Sequence, residues 1–292
     1  MEQTTPETQK PEEKKEGSLS LTSIVTTAIQ LPGVKVNRDA FLREQFKDAP
    51  EEALAVILEK GPVAAGCKRK LLEKKATALI NSWTLKSTGM SFVAGIPGGL
   101  AMAATIPADM MQFYAVALRL AQELAYLYGE SDLWQGDVLD GEKVHNQLIL
   151  YCGVMLGASG AAQTVRVVSS ALAQRAIIDL PKKALTKNFI FRIVKSITKK
   201  VFGKTLTKSA FGAALGKAIP VVGGVISGGI TFASMKPMGK RLADTLEEAH
   251  FDYTPADFES DWQDIVAQCE EEAQAEAQSE AQEQAQETPT AE

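Results

Sequence analysis

Three stretches of this chain carry no Asp, Glu, Lys or Arg at all: residues 87–108, 144–165 and 218–235. Surface this apolar has to leave water, against other helices or within lipid, and any fold must provide for that. Their lengths of 22, 22 and 18 residues approach the roughly 20 that a helix needs to cross a bilayer. Their chemistry argues against plain spans. The first holds Pro97, Pro107 and four glycines, Gly89, Gly95, Gly98 and Gly99; the second opens on His145-Asn146-Gln147; the third contains Ile219-Pro220, Gly223-Gly224 and Gly228-Gly229. Glycine-rich helical hairpins at about 89–108 and 212–235, buried in protein or inserted shallowly, are expected, with spanning helices as the alternative. Gly95/Gly99, Gly153/Gly157, Gly212/Gly216 and Gly224/Gly228 lie four apart. That spacing puts two missing side chains on one helical face and lets helices pack closely.

The punctuation between these stretches is helical. Pro50 precedes Glu51-Glu52-Ala53-Leu54-Ala55-Val56-Ile57-Leu58 and Gly61-Pro62 follows it; Pro107 opens a run that Gly129 ends. Proline is tolerated in a first helical turn and glycine favoured just past the last. In the second run Met110, Phe113, Tyr114, Ala117, Leu120, Ala121, Leu124 and Leu127 recur at three- and four-residue steps, which predicts one apolar face. Thr254-Pro255-Ala256-Asp257 reads as a cap, a first-turn proline and an acid at a helix start. No series of alternating strands appears. The expected fold is all-α, a single multi-helix domain flanked by disordered tails. Its parts are a polar tail at 1–17, a helical segment at 18–60, the main helical domain at 61–250, a C-terminal helix at 251–269 and an Ala/Glu/Gln-rich acidic tail at 270–292, read as a frayed helix or as disordered. The polar opening run is not that of a secretory signal.

Charge is segregated along the chain. Residues 180–243 hold 13 Lys/Arg and no acid, whereas residues 244–292 hold 16 Asp/Glu and no base. Such asymmetry points to a charged partner or to masking of one block by the other. Within the basic block Ile190, Ile193, Val194, Ile197 and Val201 line one helical face, with Arg192, Lys195 and Lys199 off it. A basic amphipathic helix suits an anionic lipid interface, and equally a core-facing surface helix with a solvated basic side. The lipid-binding set expected on the first reading is Lys182, Lys183, Lys187, Arg192 and Lys195, continuing through Lys199, Lys200, Lys204 and Lys208. Nucleic acid is not expected, because stacking aromatics and a reader motif are missing.

Catalytic and cofactor motifs are not found. Gly203-Lys204-Thr205 resembles the end of a phosphate loop, but Thr198 stands where its first glycine belongs and no strand precedes it. Two histidines and three unpaired cysteines, Cys67, Cys152 and Cys269, supply no metal cluster and no disulfide framework, and fit a reducing cytosol. No cofactor or metal is expected. The candidate polar site is Asp109, Arg119 and His145: Asp109 most simply as a first-turn acid, Arg119 paired with Glu123, and His145 as a satisfied polar residue. Cys152 reads as an inert small hydrophobe, and His250 falls at a helix end.

Gly95-Ile96-Pro97-Gly98-Gly99, Ile106-Pro107-Ala108-Asp109, Leu118-Arg119-Leu120-Ala121 and Tyr128-Gly129 together resemble the EcsC family of bacterial proteins. Ile219-Pro220-Val221-Val222-Gly223-Gly224 with Thr231-Phe232 is similar to that family's C-terminal signature. The likeness covers roughly residues 60–250 and implies a helical bacterial protein sometimes found near membranes, with no agreed catalytic residues. The expected function is that of a non-enzymatic, membrane-associated helical protein at the cytoplasmic face of the cell membrane. Its expected partner is anionic lipid or a membrane protein, and self-association stays open. Helix packing would rest on Gly95, Gly98, Gly99, Gly153, Gly157, Gly223, Gly224 and Gly228. The alternatives are a soluble helical module docking on a transporter component, and an enzyme or binder of an apolar ligand.

Overall fold

A computed structural model describes residues 21–86, 108–134, 141–158, 160–170 and 228–287, and every regular element among them is an α-helix. The all-α expectation is borne out. In chain order these are α1 (Leu21–Ile29), α2 (Arg38–Gln45), α3 (Glu51–Lys60), α4 (Arg69–Lys86), α5 (Ala108–Tyr128), α6 (Gly141–Leu156), α7 (Ala161–Ser169), α8 (Gly228–Phe251) and α9 (Pro255–Glu287). No helix among the described residues is long and apolar enough to cross a membrane.

Local chemistry accounts for the helix ends. The Asn37 side chain accepts from the Ala40 amide at 2.8 Å and starts α2. Thr254 and Asp257 cap one another at the start of α9: the Asp257 amide donates to Thr254 Oγ1 at 3.2 Å, and the Thr254 amide donates to Asp257 Oδ2 at 3.0 Å. This reciprocal box satisfies two amides that have no partner within the helix, and it holds the Asp257 carboxyl below its ordinary range. α5 ends as Gly129 predicts, with its amide on Tyr126 O and the Glu130 amide on Ala125 O.

α5 corrects the one-face reading of its sequence. Between Met111 and Tyr128 only Gln112 and Arg119 are not buried, so Ala115, Val116, Leu118, Ala125 and Tyr126, off the predicted face, are covered as well. The cause is its position: α1, α2, α4, α6 and α8 all pack against it. A helix apolar on every side is a core helix. α8 is the second organiser, in contact with α4, α5, α6 and α7. It approaches α4 and α5 through Gly239, where a Cβ would stand 2.9 Å from Ile80 and 3.1 Å from Leu120.

The charge-free stretch at 144–165 is divided rather than continuous. α6 stops at Leu156, and Gly157 adopts φ +75°, its amide bonding to Val154 O at 3.0 Å while the Ala158 amide bonds to Gly153 O at 2.8 Å. These two bonds define a glycine-terminated helix end. The Gly153/Gly157 spacing therefore marks a helix stop, with Gly153 buried and Gly157 exposed, and not the packing pair that four-residue spacing predicts. α7 then folds back along α6. The helical hairpins expected at about 89–108 and 212–235 fall almost wholly outside the described residues. Gly95, Gly98, Gly99, Gly223 and Gly224 lie there too; Gly228 is the first residue of α8.

α9 runs on to Glu287, past the boundary expected at 269. Phe258, Trp262 and Ile265 are buried at four- and three-residue steps, and α9 packs there on α7. Beyond them Glu270, Glu271, Gln274 and Gln278 are exposed, so this part of the helix rests on the high propensity of Ala, Glu and Gln.

Candidate functional site

Lys35 in the turn before α2, the inner side of α2, the last turns of α4 and the middle of α5 enclose a groove of about 780 Å³. Its floor is made by Trp83 on α4 and Glu123 on α5, each 5% exposed. The Trp83 indole donates from Nε1 to Glu123 Oε2 at 2.6 Å, and Arg119, one turn earlier on α5, donates from Nε to Glu123 Oε1 at 3.2 Å. The guanidinium lies 5.2 Å from the Trp83 ring centroid and also donates to the carbonyl of Gly33. Burial pushes the Glu123 carboxyl above its ordinary range, opposed by the Trp83 hydrogen bond and by Arg119. Both carboxylate oxygens already accept a hydrogen bond, so Glu123 anchors the floor and offers no free base.

Gln122, the neighbouring residue, shapes the rim. Its side chain is fully buried, and all its main hydrogen-bonding positions are used. Oε1 accepts from the Val36 amide at 3.1 Å and from Trp134 Nε1 at 2.9 Å; Nε2 donates to Val34 O and Leu118 O, both at 2.9 Å. One amide thus fixes the 34–36 turn against α5 and holds Trp134 beside it. Lys35, projecting from that turn, stands 4.6 Å over the Trp134 ring. On the opposite wall Lys86 stands 5.3 Å over Trp83. Neither lysine forms a close ion pair with a carboxylate among the described residues, though the Lys86 charge is near enough to Glu123 to favour its ionised form. Glu44, at the groove edge, is engaged by Lys47 at 3.1 Å.

Of the expected polar trio the structure brings Arg119 into this groove, paired with Glu123 as its four-residue spacing predicts. His145 is half-buried on α6 and does not line the groove. Asp109 lies in the first turn of α5, with its side chain outside the description. Trp83, Lys35 and Lys86 were not singled out by sequence; Trp83 and Lys86 lie one turn apart on α4, while Lys35 comes from the turn before α2. Cys152 is buried, and burial pushes its thiol up to about 12, in keeping with an inert role. Among the described residues no three His, Cys, Asp or Glu side chains converge as metal ligands would.

The nine basic residues of the expected lipid-binding set, Lys182 to Lys208, lie outside the described residues. What is described is the acidic block beside them. Glu247 and Asp252 meet Arg69 at 2.6 and 2.8 Å, and the Tyr128 hydroxyl donates to Glu247 at 3.1 Å. Asp261 receives two bonds of 2.9 Å from Arg166 and one of 2.8 Å from the Tyr253 hydroxyl. Glu248 stands 3.4 Å from Arg166, and Asp244 pairs with Lys240 at 2.7 Å. Most of these acids therefore answer arginines from the first 179 residues. Lys240 is a member of the basic block that pairs with one of these acids among the described residues. No family model, no curated protein and no solved structure matches the chain.

Proposed function

We propose that this is a non-enzymatic protein of the membrane surface that holds anionic lipid through its basic segment at 182–208, at the cytoplasmic face of the cell membrane. The observation that carries the reading is the engagement of Asp244, Glu247, Glu248, Asp252 and Asp261 by Arg69, Arg166 and Lys240. Those five carboxylates already have basic partners, which leaves fewer of the chain's own acids to meet the nine Lys/Arg of 182–208, a stretch with no acid of its own. Phospholipid headgroups supply anions at about 1 kcal/mol per basic residue, while the apolar positions from Ile190 to Val201 enter the acyl boundary. The resemblance to the EcsC family agrees with this reading.

Flotation of the full chain with phosphatidylglycerol-containing vesicles tests it. The protein is expected to float with these vesicles, to stay behind with pure phosphatidylcholine, and to be released in about 1 M salt, where the Debye length is only about 3 Å. Replacing Lys195, Lys199 and Lys200 by Gln should weaken flotation. Protein that ignores anionic vesicles at low salt would overturn the reading and favour docking on a membrane protein. The eight acids from Glu270 onward are available to mask the basic segment, and truncation after Cys269 is then expected to strengthen vesicle binding.

A further inference from the structure

We propose that the groove between α2, α4 and α5 is a binding site for a small amphipathic anion, an apolar body bearing one carboxylate, sulfate or phosphate. The charge balance of its walls carries the argument. Five ionisable side chains line it: Lys35, Lys86, Arg119, Glu44 and Glu123. Arg119 and Glu123 neutralise one another at 3.2 Å, and Glu44 is neutralised by Lys47 at 3.1 Å. Among the described residues Lys35 and Lys86 are left without an ion pair. Each ammonium rests on an indole, over Trp134 and Trp83 respectively, and such a cation–π contact does not cancel the charge. Among the described residues the groove therefore has three basic side chains, Lys35, Lys86 and Arg119, against one acid not already met from outside it, Glu123, an excess of positive charge.

The rest of the surface selects what carries the opposite charge. Val36 and Leu79 are buried in the groove walls, and the half-buried Phe41 ring lies beside them. A bare inorganic ion would leave this apolar wall unmatched. A neutral apolar molecule would leave the two ammonium groups without a counter-charge, and a cation would be repelled. The volume of about 780 Å³ lies in the range of small-molecule pockets, which are mostly apolar with a few placed polar groups. Gln122 fixes the turn that carries Lys35 and the Trp83–Glu123 bond fixes the floor, so the site is held in shape before a ligand arrives.

Calorimetric titration of the full chain in vesicle-free buffer tests this independently of any membrane binding. 2-Naphthoate and its neutral analogue 2-naphthamide share one apolar body and differ in charge. One saturable site is expected, at least about tenfold tighter for the naphthoate. The paired substitution Lys35→Gln and Lys86→Gln, at exposed positions, should reduce that affinity about tenfold with unchanged circular dichroism and melting temperature. Lys60→Gln, outside the groove, should leave it unchanged. If the pair disturbs helix content, Lys35→Gln alone carries the test. Displacement of naphthoate by monomeric dodecyl phosphate assigns the natural anion to a lipid, and displacement by phenyl phosphate alone assigns it to a soluble compound. Equal binding of the two probes, no binding, or affinity unmoved by loss of the lysines would overturn the proposal.

Discussion

The indole N–H of Trp83 meets the carboxylate of Glu123 at 2.6 Å, joining α4 to α5 at a point where both side chains are buried. A carboxylate in such a place is costly to ionise, and burial outweighs the hydrogen bond and the Arg119 guanidinium in setting its proton affinity. Folded Glu123 thus holds its proton more tightly than the unfolded chain does. Below the unfolded value of about 4.3 both states are protonated and the residue contributes no pH dependence. As pH rises from there through the raised folded value, stability is lost, and above it the loss is complete. Denaturant titrations of wild type and Glu123→Gln at several pH values should show the difference moving in favour of the variant as pH increases. A difference that moves the other way would mean that Trp83 and Arg119 outweigh burial.

Gln122 offers a larger effect. Its replacement by Ala strips the buried Val36 amide, the Val34 carbonyl and the Trp134 indole N–H of the partner they share. With one to three kcal/mol for each buried polar group left unsatisfied, a loss of about 3–5 kcal/mol is expected on chemical denaturation. A loss under about 1 kcal/mol would show that the turn does not depend on this amide.

One ion pair ties α9 to α7 beside its buried apolar side chains. Arg166 on α7 binds Asp261 through two hydrogen bonds of 2.9 Å, with the Asp261 side chain only 10% exposed. Arg166→Ala leaves a largely desolvated carboxylate without its counter-ion and is expected to cost about 2–4 kcal/mol. Arg166→Lys should recover only part, since a single ammonium cannot reproduce the two-pronged contact. Hydrogen exchange over residues 258–266 reads the outcome: faster exchange in the Ala variant, with α5 unaffected. Unchanged exchange would assign the docking of α9 to Phe258, Trp262 and Ile265 alone.

The cysteines should separate cleanly in a thiol titration of a Cys269→Ser variant. Cys152 is fully enclosed and its thiol lies near 12, so it should stay unmodified at pH 8 until the protein unfolds. Cys67 is half-buried, with a thiol raised more modestly by burial, and should react slowly in the folded state. Rapid modification of Cys152 would indicate opening of α6.

Helix identity and most helix ends were readable from Pro50, Gly129, Thr254-Pro255 and their neighbours, because those signals are local. The all-round burial of α5 was not readable: apolar residues at three- and four-residue steps define a face only when one face is covered, and five helices surround α5. Gly157 shows the limit of spacing arguments, since the same four-residue interval serves a packing face or a helix stop. At the groove, the Arg119–Glu123 pair was visible because it lies within one helix. Lys35, Trp83 and Lys86 join it only through tertiary packing. The partners of the acidic block were hidden for the same reason: composition reveals an excess of charge, but not that Arg69 and Arg166 lie within reach.

The place of α8 in the body has a consequence during synthesis. It touches α4, α5, α6 and α7, yet it is encoded after all of them, ending at Phe251. At about 5–20 residues per second, the ribosome needs roughly 4–16 s to travel from Ser169 to that point, and over this interval the earlier helices lack the surface that closes them. A nascent chain of this design would need shelter from premature association until its final third has emerged.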